Sequence, residues 1–156
     1  MAELDKLAIR GVRSFGPRDV NIIQFFKPLT VIVGHNGSGK TTIVECLKYA
    51  ATGDLPPHTK GGGFLHDPNM AGTDTVKAQV RLRFRNTHGV RMNCVRNLQV
   101  SKKKGGGLSM KTLEGVLGID DEEAEPHARN SISTRCAELD TEMASLLGVP
   151  LSLIHI

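Results

Sequence analysis

The 156 residues carry 20 Lys and Arg against 16 Asp and Glu, for a net charge of +4, with 39% hydrophobic residues; this is a single-domain length with enough apolar content for one core. Cys46, Cys94 and Cys136 are odd in number, widely spaced and in no C-x-x-C arrangement, which argues for reduced core thiols over a disulfide framework or a zinc site. The six histidines show no H-E-x-x-H spacing and read as single solvated or turn residues, the acidic first six residues are no secretory signal, and no run nears the ~18 apolar residues of a membrane span.

Leu7-Ala8-Ile9-Arg10-Gly11-Val12 predicts a first strand and residues 21–26 a second, with Gly16-Pro17 punctuating between them. The second leads into Leu29-Thr30-Val31-Ile32-Val33, a short apolar, β-branched run that reads as a buried strand. Directly after it, Gly34-His35-Asn36-Gly37-Ser38-Gly39-Lys40-Thr41 satisfies the pattern G-x-x-x-x-G-K-[ST] at every defined position. Residues 41–51 then set Ile43, Val44, Leu47 and Ala51 on one helical face. The loop at 34–41 is therefore expected between a strand and a helix, which is the setting its chemistry needs.

That chemistry follows from the residue types. Glycines at 34, 37 and 39 let the backbone turn back on itself, so that successive N–H groups face phosphate oxygens. The helix that starts near Lys40 adds the partial positive charge of its N-terminus. Lys40 is a point charge for the β- and γ-phosphates of a nucleoside triphosphate, Thr41 a hydroxyl ligand for the bridging Mg²⁺, and Thr42 a further hydroxyl on the α-phosphate side. ATP with Mg²⁺ is the expected ligand.

After the helix, Gly53-Asp54-Leu55-Pro56-Pro57 is a sharp stop. Residues 60–69, with Gly61-Gly62-Gly63 and Asp67-Pro68, read as an irregular loop able to fold back over a nucleotide. From Val76 to Val100 the period becomes two. Val76, Ala78, Val80, Leu82 and Phe84 line one face, while Lys77, Gln79, Arg81, Arg83 and Arg85 line the other. Asn86-Thr87-His88-Gly89 supplies the turn, and Val90, Met92, Cys94, Leu98 and Val100 return with the same alternation, broken at Arg96. This predicts an antiparallel hairpin with one buried and one basic face. Residues 76–104 hold nine Lys or Arg and no Asp or Glu; the strip reads either as a solvated face or as a phosphate-tracking surface for DNA. Residues 102–107 read as a flexible basic loop and 120–125 as an acidic one. Ile132, Cys136, Leu139, Met143 and Leu146 recur at helical spacing from a cap near Ser131, and Gly148 and Pro150 end that helix.

Several of these segments together resemble one family. Gly11-Val12-Arg13-Ser14-Phe15-Gly16, the loop at Gly34, Glu45-Cys46-Leu47-Lys48-Tyr49, Thr52-Gly53-Asp54, His66-Asp67-Pro68 and Lys111-Thr112-Leu113-Glu114-Gly115-Val116 are similar to the N-terminal ATPase lobe of the eukaryotic DNA double-strand-break repair ATPases. Those are the coiled-coil subunits of the MRN nuclease complex, in the SMC-like branch of the ATP-binding-cassette ATPases. The resemblance runs in order from about Lys6 to Val149. It implies an α/β, P-loop NTPase fold of the ATP-binding-cassette type, with the phosphate loop on a parallel layer and the hairpin in an antiparallel one. It also implies nucleotide contacts at Arg13, Asn36, Gly37, Gly39, Lys40, Thr41 and Thr42 and around Leu65 and Asp67. Arg13 offers guanidinium donors to phosphate oxygens, though a surface arginine at a strand end fits the same sequence, and an ordinary turn accounts equally for Leu65 and Asp67.

The partners implied are DNA, the nuclease and regulatory subunits of the MRN complex, the C-terminal ATPase lobe and a second copy of the protein, with a nuclear, chromosomal location and no membrane. The family's Mg²⁺-completing glutamine follows the equivalent of Val149, and Leu151-Ser152-Leu153-Ile154-His155-Ile156 holds no Gln. No catalytic residue is therefore assigned within the chain. Residues 1–149 read as the N-terminal part of an ATPase head and 150–156 as a divergent tail. Three functions compete: an ATP-binding lobe of a repair ATPase, a nucleotide- or partner-binding piece that hydrolyses nothing, and a small-molecule phosphotransferase. The hairpin after the loop argues against the third.

Overall fold

The structure is a computed structural model, and it describes residues 2–59, 61–120, 131–134 and 136–148. The acidic segment past Asp120, Pro150, the 150–156 tail and the side chains of Ile132 and Cys136 lie outside what is described.

Strands β1 (Glu3–Arg10), β2 (Asn21–Gln24), β3 (Thr75–Arg85), β4 (Arg91–Lys102), β5 (Leu108–Thr112), β6 (Gly115–Ile119) and β7 (Ser131–Thr134) form a single sheet in the order β2-β1-β3-β4-β6-β7, with β5 also on β4. The helices are α1 (Lys40–Thr52), α2 (Pro68–Ala71) and α3 (Cys136–Leu147). The β3–β4 hairpin is the centre, as alternation predicts. Val76 faces Val100, Ala78 faces Leu98, Leu82 faces Cys94 and Phe84 faces Met92 across the ladder, and all eight are buried. Asn86 makes the turn by accepting two backbone N–H bonds, from His88 and Val90, at 2.9 Å each.

The inner sheet face is covered by α1 and α3. Thr42, Cys46, Tyr49 and Ala50 of α1 are buried, so the helix presents a narrow stripe rotated from the expected Ile43–Leu47 face. Ile43 and Leu47 pack at the margin of the core. Small side chains let helix and sheet approach closely, and propensity patterns do not register that. Gly53 ends α1 at φ +78°, its N–H donating to the Tyr49 carbonyl at 2.8 Å, which is the left-handed stop that glycine favours.

Three expectations change. Leu29, Val31 and Val33 are 73%, 71% and 87% exposed and form no strand; no neighbour among the described residues pairs with this run, and an unpaired strand has nothing to hold its extended backbone. Every ladder between described strands is antiparallel, so the parallel layer implied for the phosphate loop is not present there. Finally, Ser131–Thr134 pairs with β6 and α3 begins only at Cys136. The helical spacing from Ile132 is overridden there by an available strand edge. The 102–107 segment proves to be a tight turn into β5, with Lys103 N–H donating to the Gly107 carbonyl at 3.0 Å.

Candidate phosphate-binding site

The residues between the exposed 29–33 run and α1 fold as the glycine pattern requires. Gly37 and Gly39 adopt φ +83° and +102°, values at which a side chain would be strained. Ser38 closes the loop on itself: its N–H and its hydroxyl both donate to the His35 carbonyl, at 3.1 and 2.6 Å. The Lys40 ammonium donates back across the loop to the Gly34 carbonyl, which parks the charge over the mouth of the turn. The Phe15 ring supports the far side, 3.4 Å from where a Cβ on Gly39 would sit.

Helix α1 starts with its N-terminal end open. Gly39 provides no side-chain cap, and the first turn holds no acidic residue. The first N–H groups therefore lack an intrahelical acceptor and carry the positive end of the helix dipole. Asn36, Gly37 and Thr41 are exposed at this end and Thr42 is buried beneath it. A buried Thr42 fits the helix-to-sheet contact as well as it fits the expected phosphate contact.

Arg13 reaches the same helix from the loop after β1. Its backbone is left-handed, φ +47°, and is pinned at both ends: its N–H donates to the Phe64 carbonyl at 3.2 Å, and its own carbonyl receives the His66 Nδ1 at 2.5 Å. The guanidinium lies 6.0 Å from the Phe64 ring centroid, and its Nη2 is 3.0 Å from Glu45 Oε2 on α1. This is an ion pair without hydrogen-bond alignment, and the buried Arg13 Nε has no hydrogen-bond partner. Sequence reasoning missed Glu45 and His66 here; the signal for Glu45 was its position four residues after Thr41, on the same helical face. His66 is half-buried and bonded, not a solvated histidine.

Leu65 and Asp67 belong to the segment stitched to Arg13. Leu65 bridges to Val12, and its side chain is buried in the core. Asp67 caps α2, its Oδ1 accepting the Asn69 N–H at 2.9 Å. Both are thus near Arg13 in the chain's folding pattern while their side chains are already in use. Beneath the site, burial pushes the Cys46 thiol up to about 12, with the neighbouring Glu45 carboxylate adding to the shift and Arg13 opposing it. That thiol is an inert core group, as is Cys94.

The basic hairpin face is less uniform than its sequence. Lys77, Arg81 and Arg85 are exposed, but Arg83 Nε lies 2.9 Å from both Asp5 and Asp120. Arg96 points inward, where its Nε donates to the Ala50 carbonyl at 3.0 Å and its Nη1 to Asp140 at 2.6 Å. No helix among the described residues is long and apolar enough to cross a membrane.

Residues 6–144 match the family model described as AAA domain. The chain is 54% identical over 154 residues to the DNA repair protein rad50 of Schizosaccharomyces pombe and 49% identical over 155 residues to the DNA repair protein RAD50 of Saccharomyces cerevisiae, in each case covering 99% of the chain. It is also 34% identical over 74 residues, 47% of its length, to the chromosome partition protein Smc of Bacillus subtilis. The chain spans about 12% of the length of the two repair proteins and 6% of the partition protein.

Proposed function

The chain belongs to the AAA domain family, and we infer that within it the 34–41 loop binds Mg-ATP as part of a P-loop NTPase of the DNA double-strand-break repair type. The observation that carries this reading is the uncapped, acid-free N-terminus of α1, set behind two left-handed glycines and beside a lysine that already folds back over the loop. Lys40, now on the Gly34 carbonyl, would turn to the phosphate oxygens, the backbone N–H groups of the loop would hold the phosphates, and the Thr41 hydroxyl would be the chain's ligand for Mg²⁺. The metal supplies charge neutralisation between the phosphates. Arg13 adds a guanidinium from the side.

Similarity to DNA repair proteins over 99% of the chain supports a nuclear, chromosomal role in a longer ATPase. In that role ATP would hold two copies together with a C-terminal lobe, a nuclease and a regulatory subunit, on DNA ends. The exposed Leu29, Val31 and Val33 are consistent with a further lobe against this side. A second reading has its own support: by itself the chain binds nucleotide without turning it over. Two carboxylates of the Arg13 neighbourhood are engaged, Glu45 with Arg13 and Asp67 as a helix cap, so neither is free to orient a water.

The test is calorimetric titration of Mg-ATP into the folded chain and its Lys40→Ala variant. The lysine's loss costs about 1.5–3 kcal/mol, the range for a charged hydrogen bond. Equal affinity in the two proteins refutes the assignment.

A further inference from the structure

We propose that Glu45 is a positioning residue for the nucleotide site, holding the Arg13 guanidinium beside the first turns of α1 so that its solvent-facing edge meets a phosphate oxygen. The inference rests on the Mg-ATP reading above. Glu45 stands one helical turn after Thr41. On a helix, residues four apart share a face, and side chains lean toward the N-terminus. A carboxylate at position 45 therefore leans toward the turn whose N–H groups would receive the triphosphate, and it brings its partner with it. The partner is Arg13 Nη2, 3.0 Å away.

Two further observations give the pair a direction. The backbone of Arg13 is fixed by its two bonds to the 64–66 segment, and its guanidinium lies against the Phe64 ring and the Glu45 carboxylate. Its Nε is buried without a hydrogen-bond partner. The side chain as a whole is 35% exposed, so an anion arriving at the helix N-terminus meets the guanidinium's accessible donors. Glu45 itself does not touch the nucleotide: a carboxylate against a triphosphate would repel it. It acts by fixing where Arg13 is, in the way that an orienting carboxylate fixes a catalytic cation.

The test is a double-mutant cycle on the full chain, with Mg-ATP titrated by calorimetry and folding checked by far-UV circular dichroism melts. Arg13→Ala and Glu45→Ala are each expected to weaken Mg-ATP binding about tenfold, the low end for charge-assisted contacts because the pair is partly exposed. In the double variant the two losses do not add, since Glu45 works through Arg13. If Glu45→Ala fails to fold, Glu45→Gln takes its place in the cycle, because it keeps the side-chain length without the charge. A Glu45 variant that binds as wild type, binds more tightly, or adds its full loss to that of Arg13→Ala overturns the inference while Lys40→Ala still reports on the loop. Absence of Mg-ATP binding by the wild-type chain overturns the nucleotide reading, and this inference with it.

Discussion

Replacing Arg96 by alanine is the most direct probe of what holds helix α1 in place. Arg96 is the one buried charged side chain of β4, and it ties three elements together. Its Nε bonds the Ala50 carbonyl in the last turn of α1, its Nη1 bonds Asp140 of α3 at 2.6 Å, and its guanidinium carbon sits 5.5 Å from the Tyr49 ring centroid. Arg96's side chain is 4% exposed and Asp140's is 29%, which decides the magnitude. Removing one partner of a fully buried pair costs ~3–5 kcal/mol, but Asp140 can turn to water when abandoned, and Arg96 Nη2 is already without a partner. The loss therefore lies near the bottom of that range, about 3 kcal/mol. For a chain of this length, that lowers the thermal midpoint by about 6–12 °C. Urea unfolding followed by circular dichroism gives the free energy directly, and Asp140→Asn, leaving the arginine its other two contacts, should cost less than half as much. A loss below about 1 kcal/mol for Arg96→Ala would show that the buried guanidinium contributes packing volume and little else.

Other outcomes follow from single features. Gly53→Ala forces a left-handed residue at the end of α1 against the Asp140 carboxylate and should destabilise by more than about 1 kcal/mol in the same unfolding experiment. Burial raises the Cys46 thiol to about 12 and the Cys94 thiol to about 11 from an ordinary 9.0; both stay protonated when folded, so iodoacetamide at pH 8 should label them only in denaturant, as peptide mass spectrometry will show. The folded state holds those protons more tightly than the unfolded chain, so stability is full below pH 9 and falls as pH rises toward 11–12. On the outer sheet face, Lys77→Gln with Arg81→Gln and Arg85→Gln should weaken binding of duplex DNA and reduce its salt slope by about 0.9 for each phosphate no longer neutralised; an unchanged slope assigns that face to solvent. Arg83→Gln should lower the melting temperature instead, because Asp5 and Asp120 already engage that side chain.

How legible each part was depended on whether its cause is local. The turn at 34–41 was readable because its glycine spacing specifies left-handed backbone within eight residues. The hairpin was readable because alternation over ten residues fixes one face inward, and its single break, Arg96, proved to be a buried ion pair where the pattern faltered. Glu45 and His66 were not readable, since each matters through Arg13, more than thirty residues away in sequence. Strands β5 and β6 escaped because Leu108–Thr112 and Gly115–Ile119 are short and irregular in alternation; they exist because the long β4 offers one edge to both.

The 29–33 run shows the same dependence at its strongest. Its composition is that of a core strand, yet burial is not a property of a segment: it requires a neighbour to supply hydrogen bonds to the backbone and apolar surface to the side chains. Three large aliphatic side chains left in water forgo about 1.5–3 kcal/mol each relative to burial, and the edge of β1 that the run could have joined is already taken by β2. The run nonetheless leads straight into Gly34, so any surface that paired with it would also fix the entry to the phosphate loop. Loop geometry and the covering of Leu29, Val31 and Val33 are therefore coupled. If the 34–41 loop holds Mg-ATP as proposed, covering this row should tighten that binding by stiffening the entry to the loop, and equal affinity with the row covered and uncovered would refute the coupling.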